Sequence, residues 1–229
     1  MRTIGILGGM SWESTAVYLR LLNEGVRARL GGLHSARLRV ATVDFDDIVS
    51  LQRAGDWDAA GAVLATEAAA LEAAGAESVL IATNTMHKVY DRVQDAVGIP
   101  VLHLADVTAD AVRAAGLSRV GLLATAYTME QDFYRDRLAA HGVEAMVPDA
   151  SDRREVQRII FEELCIGEVT DASRATLARI AADLLAHGAQ GIVLGCTELE
   201  LSIGAAEVAA PIFPTTTLHC RAALELALA

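Results

Sequence analysis

Leu71-Glu72-Ala73-Ala74-Gly75-Ala76-Glu77-Ser78-Val79-Leu80-Ile81-Ala82-Thr83-Asn84-Thr85 aligns without a gap on Leu184-Leu185-Ala186-His187-Gly188-Ala189-Gln190-Gly191-Ile192-Val193-Leu194-Gly195-Cys196-Thr197-Glu198. Each copy reads as the end of an alanine-rich helix, a glycine stop, a short apolar strand and a small polar strand end. Two further matches keep the same order: Ile4-Gly5-Ile6-Leu7 on Val120-Gly121-Leu122-Leu123, and Ile99-Pro100-Val101 on Ala210-Pro211-Ile212. Helix–glycine–strand patterns recur in any α/β protein, so one match would mean little. Three in order, at a nearly constant offset, indicate a duplicated α/β unit of about half the chain.

Outward from these segments, short β-branched runs alternate with longer helix-period runs. Strands are expected at 3–7, 38–43, 78–82, 101–104, 120–124, 144–147, 191–194 and 211–213. Helices are expected at 14–30, 58–74, 85–97, 108–115, 129–141, 153–164 and 171–187. Asp56 and Asp152 stand where N-caps belong, and Gly75, Gly116, Gly142 and Gly188 follow helices. The acidic run 44–47 after the second strand reads as a solvated loop. Near-continuous apolar strands alternating with helices give an α/β fold with mainly parallel sheets covered on both faces.

The 229 residues hold 19 Lys+Arg against 30 Asp+Glu, a net charge of -11. A nucleic-acid partner needs a basic face, so none is expected. An anionic membrane surface is excluded on the same ground, and no apolar run reaches the ~18 residues of a spanning helix. Three cysteines far apart, Cys165, Cys196 and Cys220, make no disulfide framework and fit a reducing cytoplasm. No metal-ligand spacing is present, so no metal is expected. Ile4-Gly5-Ile6-Leu7-Gly8-Gly9 lacks the spacing of a dinucleotide loop.

Ligands of open α/β sheets bind beyond the carboxyl ends of the strands. Four such ends carry small polar residues: Gly8 to Ser11, Thr83 to His87, Thr125 to Thr128, and Cys196 to Glu198. They form two pairs under the repeat, expected to act as two half-sites of one cavity. Each opens a helix, so backbone N–H groups there suit a carboxylate. Cys196 lies between a strand end and a helix start, where a thiol pKa is expected to fall. Cys165 and Cys220 read as ordinary helix residues. Thr83 is the repeat partner of Cys196, either a cap or substrate hydrogen-bonder or a second proton-transfer group. His87 reads as a surface or packing histidine, with a catalytic role as the alternative.

The chain resembles the aspartate/glutamate racemase family, the PLP-independent amino-acid racemases, over essentially its whole length. The resemblance is carried by Gly8-Gly9-Met10-Ser11-Trp12-Glu13-Ser14-Thr15, Thr42-Val43-Asp44-Phe45, Thr83-Asn84-Thr85-Met86-His87-Lys88, Leu123-Ala124-Thr125 with Thr128-Met129, Glu163-Leu164-Cys165, and Leu194-Gly195-Cys196-Thr197-Glu198. It implies two similar doubly wound domains related by a pseudo-twofold, with the active site in the cleft between them. It implies that the last strand and helix return to the first domain, giving residues 1–97 plus 212–229 and residues 98–211. It implies no cofactor, a homodimer, and an amino-acid or dicarboxylate substrate.

In that family two cysteines flank Cα as base and acid. Cys196 falls on the second, which faces the L-enantiomer; Thr83 stands in place of the first, as in a Thr/Cys subset. The rest of the pocket would be Met10, Asn84, Thr85, Thr125, Tyr127, Thr128, Thr197 and Glu198, with Gln52 near the substrate side chain. A hydroxyl is several pKa units less acidic than a thiol, at ~1.4 kcal/mol each. Slow racemisation biased to one direction, started by Cys196, is therefore expected. Two other functions fit the residues. A maleate isomerase or arylmalonate decarboxylase would need Cys196 alone. A non-catalytic amino-acid-binding protein would keep the cleft without turnover. No arginine sits in a motif position to clamp a distal carboxylate; Arg53 and Lys88 are candidates by neighbourhood only.

Overall fold

A computed structural model describes residues 1–229. Eight strands are present: β1 Ile4–Gly8, β2 Leu38–Thr42, β3 Ser78–Ile81, β4 Val101–Leu102, β5 Arg119–Ala124, β6 Glu144–Met146, β7 Ile192–Gly195 and β8 Ile212–Pro214. They form two four-stranded sheets, β2-β1-β3-β4 and β6-β5-β7-β8, and every pairing is parallel. The two orders are identical under the sequence repeat, because β1 corresponds to β5 and β3 to β7. The chain divides into unit one, Met1–Leu104 with His219–Ala229, and unit two, Ala105–Leu218.

These boundaries correct the expected ones. β4 pairs with β3, so residues 98–104 belong to unit one rather than the second domain. β8 pairs with β7, so the last strand stays in unit two. Only the last helix carries the chain back. The physical reason is ladder hydrogen bonding: a strand joins the sheet whose exposed edge offers it partners, and the repeat places β4 and β8 at equivalent edges.

Helices α1 Trp12–Leu30, α2 Phe45–Ala54, α3 Trp57–Ala73, α4 Tyr90–Asp95 and α5 Leu104–Ala114 follow the first strands. Then come α6 Ala126–Glu130, α7 Asp132–Ala140, α8 Ala150–Glu162, α9 Asp171–Ala186, α10 Leu199–Ser202 and α11 Thr215–Leu228. In unit one the strand period of two divides the core. Ile4, Ile6, Leu80 and Ala82 pack with Tyr18, Leu22 and Val26 of α1 and Ala223, Leu224 and Ala227 of α11. Leu7, Val79 and Ile81 point the other way, onto Leu64, Ala68 and Leu71 of α3 and Val93 of α4. Each large side chain so buried contributes about 1.5–3 kcal/mol.

Gly5 and Gly121 show why the repeat is structural. A Cβ on Gly5 would meet Leu71 Cβ at 3.4 Å, and one on Gly121 would meet Leu184 Cβ at 3.1 Å. The same helix leucine crosses the same strand glycine in both units.

Three local expectations are corrected. The acidic run 44–47 is no loop: Asp44 accepts from the Asp46 N–H as N-cap of α2, and Asp46 and Asp47 fill its first turn. The cap of α8 is Asp149, accepting from the Ser151 and Asp152 N–H groups, so Asp152 lies inside that helix. The stretch 85–97 splits into a 3-10 turn, Thr85–Val89, and α4. No helix is long and apolar enough to cross a membrane.

Candidate active site

In unit one, β1 ends in Gly8-Gly9-Met10-Ser11. Gly9 has φ 85, and a Cβ there would lie 2.2 Å from the Val43 carbonyl oxygen. Only glycine lets this turn pass so close to the end of β2. The Gly9 N–H donates to Thr15 Oγ1 at 2.8 Å, the Thr15 hydroxyl donates to the Ser11 carbonyl, and Ser11 Oγ caps α1 by accepting from Ser14 N–H. Met10 is buried in the core cluster that contains Leu7 and Met86.

After β3, Thr83 is half-buried, while Asn84 and Thr85 are buried. The Thr83 carbonyl accepts from His87 Nδ1–H at 2.8 Å. His87 is buried, so it is no surface residue. Gln52 is also buried, and its amide donates to Met86 Sδ at 3.2 Å. Of the two neighbouring cations, Lys88 stacks its ammonium over Trp57, 4.1 Å from the ring centroid, and Arg53 is exposed at the end of α2.

In unit two, Thr125 ends β5 and caps α6: Thr128 N–H donates to its Oγ1, and the two hydroxyls lie 3.2 Å apart. Tyr127 is half-buried beside them, and the Ala126 N–H is held by Gln157 Oε1. After β7, Cys196, Thr197 and Glu198 are all buried. The Cys196 thiol donates to Glu198 Oε2 at 2.9 Å.

That bond overturns one expectation. Burial drives the Cys196 thiol pKa well above its ordinary value, and the Glu198 carboxylate adds to the rise, as would a Cys165 thiolate. The helix that follows, α10, has four residues, and so short a dipole cannot outweigh desolvation and a carboxylate in contact. Three of the four polar strand ends open such short turns or helices; only the first opens a long one, α1.

Sequence reasoning missed the support beneath Cys196. Thr216 Oγ1 donates to Thr197 Oγ1 at 3.0 Å, and Thr215 Oγ1 donates to the Leu194 carbonyl at 2.9 Å. The Thr216 N–H and the Thr217 hydroxyl both donate to Glu200, whose pKa burial raises. The run Thr215-Thr216-Thr217 after a proline was the available signal. Cys165 sits in the 3-10 turn Leu164–Ile166, and Cys220 is buried in the core of unit one.

Two parallel-sheet units carrying small polar strand ends, one bearing a buried thiol on a carboxylate, define a duplicated α/β protein. The chain matches the Asp/Glu/hydantoin racemase family over residues 7–223, and it belongs to that family. It is 48% identical, with TM-score 0.93, to a Yersinia pestis protein provisionally assigned as an Asp/Glu racemase, covering 100% of each chain. It is 34% identical, with TM-score 0.88, to an aspartate racemase homologue from Pyrococcus horikoshii OT3, again over 100% of each chain. A Gly74Cys mutant of arylmalonate decarboxylase shares the fold alone, at 15% identity and TM-score 0.58, over 98% of this chain and 93% of that one. An uncharacterised protein from Pectobacterium carotovorum subsp. carotovorum is 35% identical over 101 residues, which span 44% of this chain and 66% of the relative.

Proposed function

We propose that the protein is a cofactor-independent racemase of α-amino acids, with aspartate and glutamate as substrates, in which Cys196 serves one face of Cα and Thr83 the other. The observation that carries this reading is the Cys196–Glu198 contact. A core cysteine needs no acceptor, whereas this thiol donates to a buried carboxylate at a strand end.

In this reading Glu198 receives the thiol proton and the Cys196 thiolate removes the Cα proton of the L-enantiomer. A raised thiol pKa makes thiolate scarce but strongly basic, which suits a very weak carbon acid. Asn84, Thr85, Thr125, Tyr127, Thr128 and Thr197 supply donors to the α-carboxylate, where charge develops in the carbanion. Met10 and Gln52 bound the side-chain end. Thr83, or a water it holds, returns a proton on the opposite face. The reading includes a homodimer, from the family resemblance, and a reducing cytoplasm, from three cysteines that form no disulfide.

The test is incubation in D2O with L- and D-aspartate and L- and D-glutamate, following α-proton loss by NMR and configuration by chiral chromatography. Deuterated L-substrate together with D-product, both abolished in Cys196→Ala, is the expected result. Thr83→Cys should raise the inverted product. A wild-type protein that exchanges no α-proton in any of the four sinks the reading for these substrates. The hydroxyl at position 83 favours one other reading, a decarboxylase or isomerase working through Cys196 alone. Turnover of malonates or maleate without amino-acid exchange would establish it.

A further inference from the structure

We infer that His87 is the positioning residue for Thr83: a neutral imidazole of fixed tautomer that ties the Thr83 turn to the start of α5. The inference rests on the reading that Thr83 serves one face of the substrate.

His87 is 3% exposed and makes a polar contact through each ring nitrogen. Nε2 lies 3.1 Å from the Leu104 backbone nitrogen. An N–H can only donate, so Nε2 is the acceptor and carries no proton. Nδ1, 2.8 Å from the Thr83 carbonyl oxygen, is therefore the protonated nitrogen and donates to it. The ring spans two backbone groups 21 residues apart in sequence, read from Thr83 and Leu104.

The ring is itself held on several sides. His103 lies at 4.9 Å between centroids, His219 at 5.9 Å, and Tyr90 stacks within 8° of parallel. His219 repeats the device. The Leu102 carbonyl can only accept, so His219 Nε2–H donates to it at 3.0 Å, and Nδ1 accepts from the Tyr18 hydroxyl at 2.9 Å. The last residue of β4, Leu102, and the first of α5, Leu104, are thus both bound by imidazoles. Three of the chain's 6 histidines are committed to this cluster.

An apolar residue could fill the same volume, but it would leave the Thr83 carbonyl and the Leu104 N–H without these bonds. What the imidazole adds is direction. With its carbonyl anchored, the Thr83 peptide cannot rotate freely, and the Cα that carries the hydroxyl is held in place. An error of about 1 Å in such a group costs on the order of 100-fold in rate.

Two substitutions separate the ring's bonds. His87→Asn keeps a donor near the position of Nδ1 and loses reach to Leu104. His87→Gln reaches toward Leu104 and withdraws the donor from Thr83. The rate readout is the split, from L-substrate in D2O, between deuterated L-substrate, which needs Cys196 alone, and inverted D-product, which also needs Thr83. His87→Gln should lower inversion about 10- to 100-fold with retention changed less than about threefold, and His87→Asn should keep both. The structural readout is the backbone amide NMR shifts of Thr83 and Asn84, unmoved in Asn and displaced in Gln. Inversion and retention falling together in both variants, or amide shifts unmoved in Gln, would overturn the inference. If the wild-type protein exchanges no α-proton, the racemase reading fails, and the amide shifts alone still decide whether His87 sets the position of Thr83.

Discussion

Cys196 and Glu198 sit two residues apart, and their 2.9 Å contact sets the sign of the thiol's behaviour. Burial and the carboxylate both push the thiol pKa up, burial most. Glu198→Gln keeps the shape and removes the charge, so it should lower the Cys196 pKa while burial still holds it above the ordinary value. Alkylation of Cys196 against pH, read by mass mapping, should show the midpoint moving down; an upward move would contradict the electrostatic account. The same substitution removes the thiol's proton acceptor. Loss of α-proton exchange from L-substrate by at least about 100-fold is expected.

At the scale of elements, the strand ends are shaped by what lies beneath them. Gly9 allows the β1–α1 turn to pass the Val43 carbonyl. Gly9→Ala meets both the positive φ and a contact of 2.2 Å, so it should lower stability by about 1–3 kcal/mol, read as a shift in urea midpoint. On the other unit, Glu200 receives two donors at the start of α11, and Thr216 passes that anchoring to Thr197. Glu200→Ala leaves the Thr216 N–H without its acceptor, at about 1–2 kcal/mol. Thr197 and the Cys196 segment should loosen with it, read as faster amide exchange at residues 196–198. Unchanged protection there would separate Glu200 from the site. The elements themselves were largely legible: the strands fall within one residue of their expected bounds, except that β4 ends two residues earlier. α2 was hidden because an acidic run looks the same as a solvated loop and as an N-cap with its first turn. Only the amphipathic residues behind it, Ile48, Val49 and Gln52, now buried, distinguish the two.

For the whole molecule, the returning chain is tied into unit one by His219, whose partners Tyr18 and Leu102 lie 201 and 117 residues away. Burial, the largest cause, lowers its pKa from 6.5 to about 3. The folded protein therefore keeps His219 neutral while the unfolded chain takes up a proton. Stability is fully present above the unfolded value and is lost as pH falls toward about 3, at up to about 1.4 kcal/mol per pH unit. Between about pH 6.5 and 5, above the main carboxylate range, His219→Gln should flatten the pH dependence of the unfolding free energy. An unchanged slope would mean that His219 titrates alike in both states.

The sequence alone determined the duplicated parallel α/β architecture, because strand and helix periods and their glycine stops are local and the repeat doubles every signal. It also placed Thr83, Cys196 and the other small polar residues just beyond strand ends, because where an apolar run stops is a local signal. Tertiary structure alone decided which sheet β4 and β8 join, the direction of the Cys196 pKa shift, and the His87, His219 and Thr216 contacts. Desolvation and hydrogen bonding depend on neighbours brought from across the chain, and a residue pattern carries no record of what it will be buried against.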